Sequence, residues 1–228
     1  MPEHLKAAVV YYSSTGNVHA LARAVAQGAE LAGAEVRLRR VAELAPPEAV
    51  ASNPDWLAHA EAARDVPLAE LTDLTWADAL LFGTPSRYGN MAAQLKQFLD
   101  TTGGLWDAGE LADKALAGFT SAGSPHGGQE STLTSMYQVF MHWGAILVPP
   151  GYTDPVVEGA GGNPYGVSAD DGGGAGPGEP ALAAARHLGR RVAEKAALLR
   201  RTPAGTPGGT SVGTPVDARA AGSLGGLS

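Results

Sequence analysis

Three short segments rich in hydroxyl and glycine residues are the parts of the sequence best equipped for chemistry. The first, Ser13, Ser14, Thr15, Gly16, Asn17 and Val18, follows an apolar run and precedes a helical pattern. Its hydroxyls and the unpaired N–H groups of a helix start would then face one point, an arrangement that attracts phosphate. The alternative is that Ser14, Thr15 or Asn17 merely caps the helix, as such residues usually do. The Lys of GxxxxGK[ST] is missing and the spacing is not GxGxxG, so one terminal phosphate suits this loop better than a triphosphate with magnesium.

The second segment, Gly83, Thr84, Pro85, Ser86, Arg87, Tyr88, Gly89 and Asn90, offers what a planar heterocycle requires. Pro85 stiffens the backbone, Tyr88 presents a flat apolar face, and Arg87 can donate to ring oxygens or offset negative charge. An isolated Arg87 would otherwise read as a solvated surface charge. The third segment, Ser121, Ala122, Gly123, Ser124, Pro125, His126, Gly127 and Gly128, lets backbone approach a ligand closely, or forms a wide turn before a helix. Any redox chemistry must be borrowed from a cofactor, because the chain has no cysteine. The six histidines show no metal-ligand spacing, so no metal site is expected.

The elements that must position these loops follow from apolar patterning. Ala7 to Tyr12 is a continuous apolar run, as in a strand buried on both faces, and Val18, Leu21, Ala22, Val25 and Ala29 recur at helical spacing after it. Val36 and Leu38 alternate with charged residues as a second strand. Ala79 to Phe82, Leu116 to Thr120 and Ala145 to Val148 read as three more strands. Helices follow around Met91 to Leu99, Leu133 to Phe140 and Ala181 to Leu199. Strands alternating with helices imply right-handed crossovers and a parallel sheet covered on both faces. In such a sheet ligands bind beyond the carboxyl ends of the strands, which is where all three loops fall.

Three stretches depart from this rhythm. Between Val41 and Thr75 prolines interrupt some 35 residues; the segment, about 42–75, is an insertion with at most short helices, either surface elaboration or a subunit contact. From Gly151 to Pro180, 14 of 30 residues are Gly or Pro, yet Tyr152, Val156, Val157, Tyr165 and Val167 are worth burying, so an ordered irregular excursion is expected. Residues 201–228 repeat a Gly-Thr-Pro-like unit and are expected to form a disordered tail beyond a single domain at 1–200.

The formal net charge of −7 disfavours a nucleic-acid partner. No apolar run approaches the roughly 20 residues of a membrane span, and the amino terminus carries no secretory pattern, so a cytoplasmic location is expected.

The stretches VVYYSSTGN, FGTPSRYGNMAAQLKQFLDTTGGLW, GGQESTL, HWGAILVPPGY and GGNPYG resemble, in order and spacing, the WrbA-type NAD(P)H:quinone oxidoreductases of the flavodoxin-like superfamily, over roughly Lys6 to Leu199. The resemblance implies a doubly wound five-stranded parallel sheet in the order 2-1-3-4-5, with helices on both faces. It also implies one bound FMN per subunit, a homotetramer, and two-electron reduction of a quinone by NADH or NADPH in ping-pong fashion through flavin N5, plausible in oxidative-stress defence. Carried over by position, Ser13 to Val18 would hold the phosphate, Thr84 to Asn90 would meet the isoalloxazine, and Ser121 to Gly128 would border the ring's other edge. His142, otherwise a core or helix-end histidine, matches a residue that contacts FMN, and it or a neighbouring Tyr would help protonate the quinol. Arg87 would stabilise the reduced ring. Trp106, Tyr88 and Thr15 would line the pocket where nicotinamide and quinone stack, although Trp106 by itself could equally be core. Thr15 stands where the family commonly has an aromatic ring, and the third loop is one residue longer than usual. The rival reading is a flavodoxin-type electron carrier without quinone turnover.

Overall fold

The computed structural model describes residues 4–201. The expected tail lies outside them except for its first residue, Arg201, which ends the last helix.

The carboxyl ends of the strands are brought to one rim by a parallel sheet whose central strands are buried on both faces. Strand β1 (Leu5–Tyr11) pairs in parallel with β2 (Ala34–Arg40) on one side and β3 (Ala79–Arg87) on the other. β3 pairs with β5 (Ala115–Ala122), and between them β4 (Asn90–Met91) turns back antiparallel on β3. Alternate residues sort onto two cores, as the period of two in a strand requires. Ala7, Val9, Tyr11, Leu81, Ala117 and Phe119 face one side, packed with helix α1 (Asn17–Leu31) and helix α9 (Glu179–Arg201). Ala8, Val10, Tyr12, Leu80, Phe82 and Leu116 face the other. That face is covered by α4 (Leu71–Trp76), α5 (Ala93–Asp100) and α7 (Gln129–His142).

The strand count corrects the sequence-based expectation. Among the described residues the sheet has seven strands, its path running β2-β1-β3-β5-β6 (β6, Ile146–Leu147) with β4 on β3 and β7 (Val167–Asp170) on β5, where five in the order 2-1-3-4-5 are expected. One extra strand is the β4 hairpin. The other arises because two short pieces share the last position. β6 (Ile146–Leu147) pairs with Ala115 and Leu116, and β7 (Val167–Asp170) pairs with Phe119 to Ala122, both in parallel. The chain leaves the sheet after β6, forms α8 (Pro155–Gly159), and returns as β7 from inside the Gly/Pro-rich stretch.

Helices α1 and α9 touch at glycines. A Cβ on Gly28 would stand 1.9 Å from the Arg186 carbonyl oxygen, and one on Gly189 would stand 1.9 Å from that of Val25. A mid-helix glycine weakens a helix. Here the pair permits a backbone approach that any side chain would block, and it fixes α1 beneath the first loop. The 42–75 segment folds as α2 (Pro47–Ala51), α3 (Pro54–Ala62) and α4. Its end is held by buried Asp73, which accepts from Arg37 at 3.1 Å and Arg39 at 3.0 Å on β2. Short α6 (Gly103–Asp107) follows α5.

Candidate functional site

The first loop leaves a helix start open. Gly16 is the N-cap of α1 at φ 101°, a left-handed conformation that favours glycine, and no side chain caps the helix. Ser13 Oγ accepts instead from the Gly16 N–H at 3.1 Å, which closes the turn on itself. The capping alternative for Ser14, Thr15 and Asn17 therefore does not occur, and Val18 is buried beneath the turn. The N–H groups of the first helical turn stay available, as a phosphate site requires.

The second loop is a two-residue hairpin. Ser86 faces Met91 and Arg87 faces Asn90, with Tyr88 at φ 52° and Gly89 at φ 76° between them. Positive φ at both central residues is the geometry whose twist matches flanking strands. It throws the Tyr88 ring wholly into solvent. At the base of the hairpin, Thr84 is fully buried; its hydroxyl donates to the Pro85 carbonyl at 3.1 Å and accepts from the Ala92 N–H at 2.9 Å.

The third loop is fastened to the second. Ser86 Oγ donates to the Gly127 carbonyl at 2.6 Å and accepts from Thr132 Oγ1 at 3.0 Å. Gly128, at φ 79°, comes so close to the hairpin that a Cβ there would be 2.7 Å from Gly89 Cα. Ser121 is buried at the end of β5, Ala122 is half-buried, and Gly123, Ser124, Pro125 and His126 are exposed. The Ser124 carbonyl accepts from Gly127 N–H and from Gln129 Nε2. Arg87 completes the junction by donating to Ser14 Oγ at 3.1 Å and to the Ser86 carbonyl at 3.2 Å.

His142 and Trp106 lie elsewhere in the chain's fold. Trp106 Nε1 donates to the His142 carbonyl at 2.8 Å, which joins α6 to the carboxyl end of α7. The third loop meets the amino end of α7, and 14 residues of helix separate the two ends by about 20 Å. Both side chains are exposed there, Trp106 by 54%.

The 42–75 segment adds a wall that sequence reasoning missed. Glu43 accepts from the Tyr12 hydroxyl at 2.7 Å, Trp56 Nε1 at 3.1 Å and Gln94 Nε2 at 2.6 Å, and from the N–H groups of Leu44 and Ala45. Burial alone would raise its pKa, but the donors from Ala45, Gln94, Tyr12 and Leu44 together hold it below its ordinary value. Tyr12 is shifted upward by burial and by its bond to Glu43. Nearby, the Tyr11 hydroxyl shares a hydrogen bond with His19 Nδ1, and the His19 and His59 rings lie 5.3 Å apart. Burial pushes Tyr11 up to about 12, against the pull of Arg40 and Arg23. No sequence signal marks these contacts, since a lone His or Glu among short helices has no diagnostic spacing.

A flavodoxin-like sheet whose three glycine-bearing loops meet at one rim defines the class of protein. Residues 6–154 match the family of NADPH-dependent FMN reductases, and the chain belongs to that family as a WrbA-type member. A curated relative from Deinococcus radiodurans, an NAD(P)H dehydrogenase (quinone), is 46% identical over 203 residues, covering 87% of this chain and 99% of the relative. Another of that name, from Paracoccus denitrificans, is 48% identical over 199 residues, covering 84% and 93%. Among solved structures, a WrbA-like flavodoxin from Agrobacterium tumefaciens superposes with a TM-score of 0.62 at 27% identity, covering 85% of this chain and 98% of that one.

Proposed function

We infer that this protein is an FMN-dependent NAD(P)H:quinone oxidoreductase. The observation that carries the reading is the mutual fastening of the three loops through Arg87 to Ser14 and Ser86 to Gly127. The fit to FMN rests on two features of this chain. The uncapped start of α1 suits the phosphomonoester, and the close backbone junction of Gly128 on Gly89 fastens together the two loops that would border a flat ring. Ser13 to Val18 would hold the phosphate, Thr84 to Asn90 one edge of the ring, and Ser121 to Gly128 the other. When bound, FMN would supply the two-electron chemistry that no side chain here can provide, the exchange of hydride between NADH or NADPH and a quinone.

The chain's own contribution is orientation and charge. Arg87, tied by two hydrogen bonds, presents fixed positive charge at the rim for a ring that becomes anionic on reduction. Tyr88 offers an exposed aromatic face for a stacked quinone or nicotinamide, and Thr15, exposed in the first loop, would border the same space. His142 and Trp106 cannot serve the rim of their own subunit at a distance near 20 Å. In a homotetramer they would meet a neighbouring copy's flavin, where His142 could hand a proton to the quinol; their exposure and that of Met141, at 59%, support a contact there. Among the described residues no helix is long and apolar enough to cross a membrane, and a cytoplasmic enzyme is the reading adopted. The relatives' shared name favours turnover over a carrier role.

The test is to load the protein with FMN and follow NADH and NADPH oxidation with and without benzoquinone. Quinone-dependent turnover is expected. A yellow protein that oxidises neither nucleotide when quinone is added would be a carrier. Light scattering then determines the assembly, with a mass of four subunits expected.

A further inference from the structure

Beside the first loop stands a group of titratable side chains that the reading above leaves unused. His59 belongs to α3 of the insertion, and its Nδ1 lies 3.5 Å from where a Cβ on Gly16 would stand. Its ring packs against that of His19 in the first turn of α1, and neither ring nitrogen of His59 has a hydrogen-bond partner among the described residues. The groups facing the pair are Tyr11 from β1, Arg23 from α1, Arg40 from β2, and Tyr12 and Glu43 from the rim. Glu43 is saturated by its own donors, so its charge is largely spent on them. What remains around the imidazoles is positive. A second charge on either ring is disfavoured unless an anion is present.

A phosphate dianion at the start of α1 would be that anion. We propose that His59, together with His19, forms a proton-linked clamp for the 5′-phosphate of FMN: the pair takes up one proton from solvent as the phosphomonoester binds, and the insertion thereby sets the preference for FMN over riboflavin. The proton ends on an imidazole nitrogen, and no covalent bond changes. The proposal rests on the FMN reading above and deepens it.

The ionisation of the free pair agrees. Burial, then His59 and Arg23, bring His19 down to about 4, and burial with Arg40 lowers His59. Both rings are then neutral near pH 7 without ligand. A bound dianion raises their values, so affinity increases as pH falls through the raised value and levels off below the ligand-free one. The phosphate's own second ionisation, near pH 6, sets the lower end of a clean test.

The experiment is calorimetric titration of the flavin-free full-length chain with FMN and with riboflavin, in buffers of different ionisation enthalpy between pH 6.5 and 8.5. FMN binding should take up on the order of one proton, with affinity weakening by up to about tenfold per pH unit, whereas riboflavin should take up none. His59→Gln should abolish the uptake and weaken FMN about tenfold, leaving riboflavin unchanged. FMN binding by the wild-type chain without proton uptake overturns the proposal and leaves the FMN reading standing. Uptake that persists undiminished in a folded His59→Gln variant also overturns it. A chain that binds no FMN at any pH overturns both. Should His59→Gln fail to fold, the wild-type contrast between FMN and riboflavin still decides.

Discussion

Arg87 Nη2 donates to Ser14 Oγ at 3.1 Å across 73 residues of sequence, joining the tip of the β3 hairpin to the loop that follows β1. The first two loops are therefore parts of one rim held together by a charged donor, not independent turns. A cofactor spanning phosphate and ring must touch both, so the contact that joins them governs how well either is placed.

Replacing that donor should show first in cofactor affinity. Arg87→Ala is expected to weaken FMN binding by roughly tenfold to a hundredfold, the range for a lost hydrogen bond to a charged group, with little change in thermal stability because the side chain is exposed. Quenching of flavin fluorescence measures the first and a melting curve the second. Unchanged affinity and unchanged quinone reduction together would remove Arg87 from the site.

Gly128→Ala tests the junction of the second and third loops. The added methyl would meet Gly89 Cα at 2.7 Å on a backbone already at positive φ. A loss of about 1–3 kcal/mol is expected, or a Tm lower by roughly 3–8 °C, along with weaker FMN binding. If the variant melted like the wild type, the close contact of these loops would be refuted.

Tyr88→Gly should separate stability from turnover. Glycine accepts φ 52° without the penalty a bulky residue carries, so Tm should hold or rise, by up to about 1 kcal/mol in stability. The stacking face is lost, and KM for quinone should increase several-fold. A lower Tm would mean that the exposed ring is packed in the working protein.

Glu43 gives the fold a pH dependence of definite sign. Its folded value is depressed, so the stabilisation it contributes is present above the ordinary carboxylate value, about 4.3, and is lost as pH falls through the folded value. Glu43→Gln should cost about 1–3 kcal/mol at pH 7, because its amide N–H₂ would face donors, and should flatten the acid limb of the curve. Urea midpoints between pH 3.5 and 7 would show this; parallel curves for the two proteins would contradict it.

Much of this was legible in the chain itself. The runs at Ala7 to Tyr12 and Ala79 to Phe82 have no polar interruption, as befits central strands covered on both faces, and β1 and β3 lie there. β7 was not legible. Four residues, Val-Ser-Ala-Asp, between glycine-rich turns have too little periodicity to signal a strand, and the free edge of β5 recruits them. The hairpin at Tyr88 was also hidden, since a two-residue strand has no pattern of its own.

The alternating elements, the two faces of the sheet and the three loops at the strand ends can be read from the order of residues, because they follow from apolar period and from glycine placed after strands. That Trp106 and His142 share the far end of α7, and that Glu43 and His59 reach the rim from the 42–75 segment, was settled by the folded chain alone. Those positions depend on contacts between segments distant along the chain, and such contacts are settled by packing and by the satisfaction of buried polar groups, neither of which leaves a local signature.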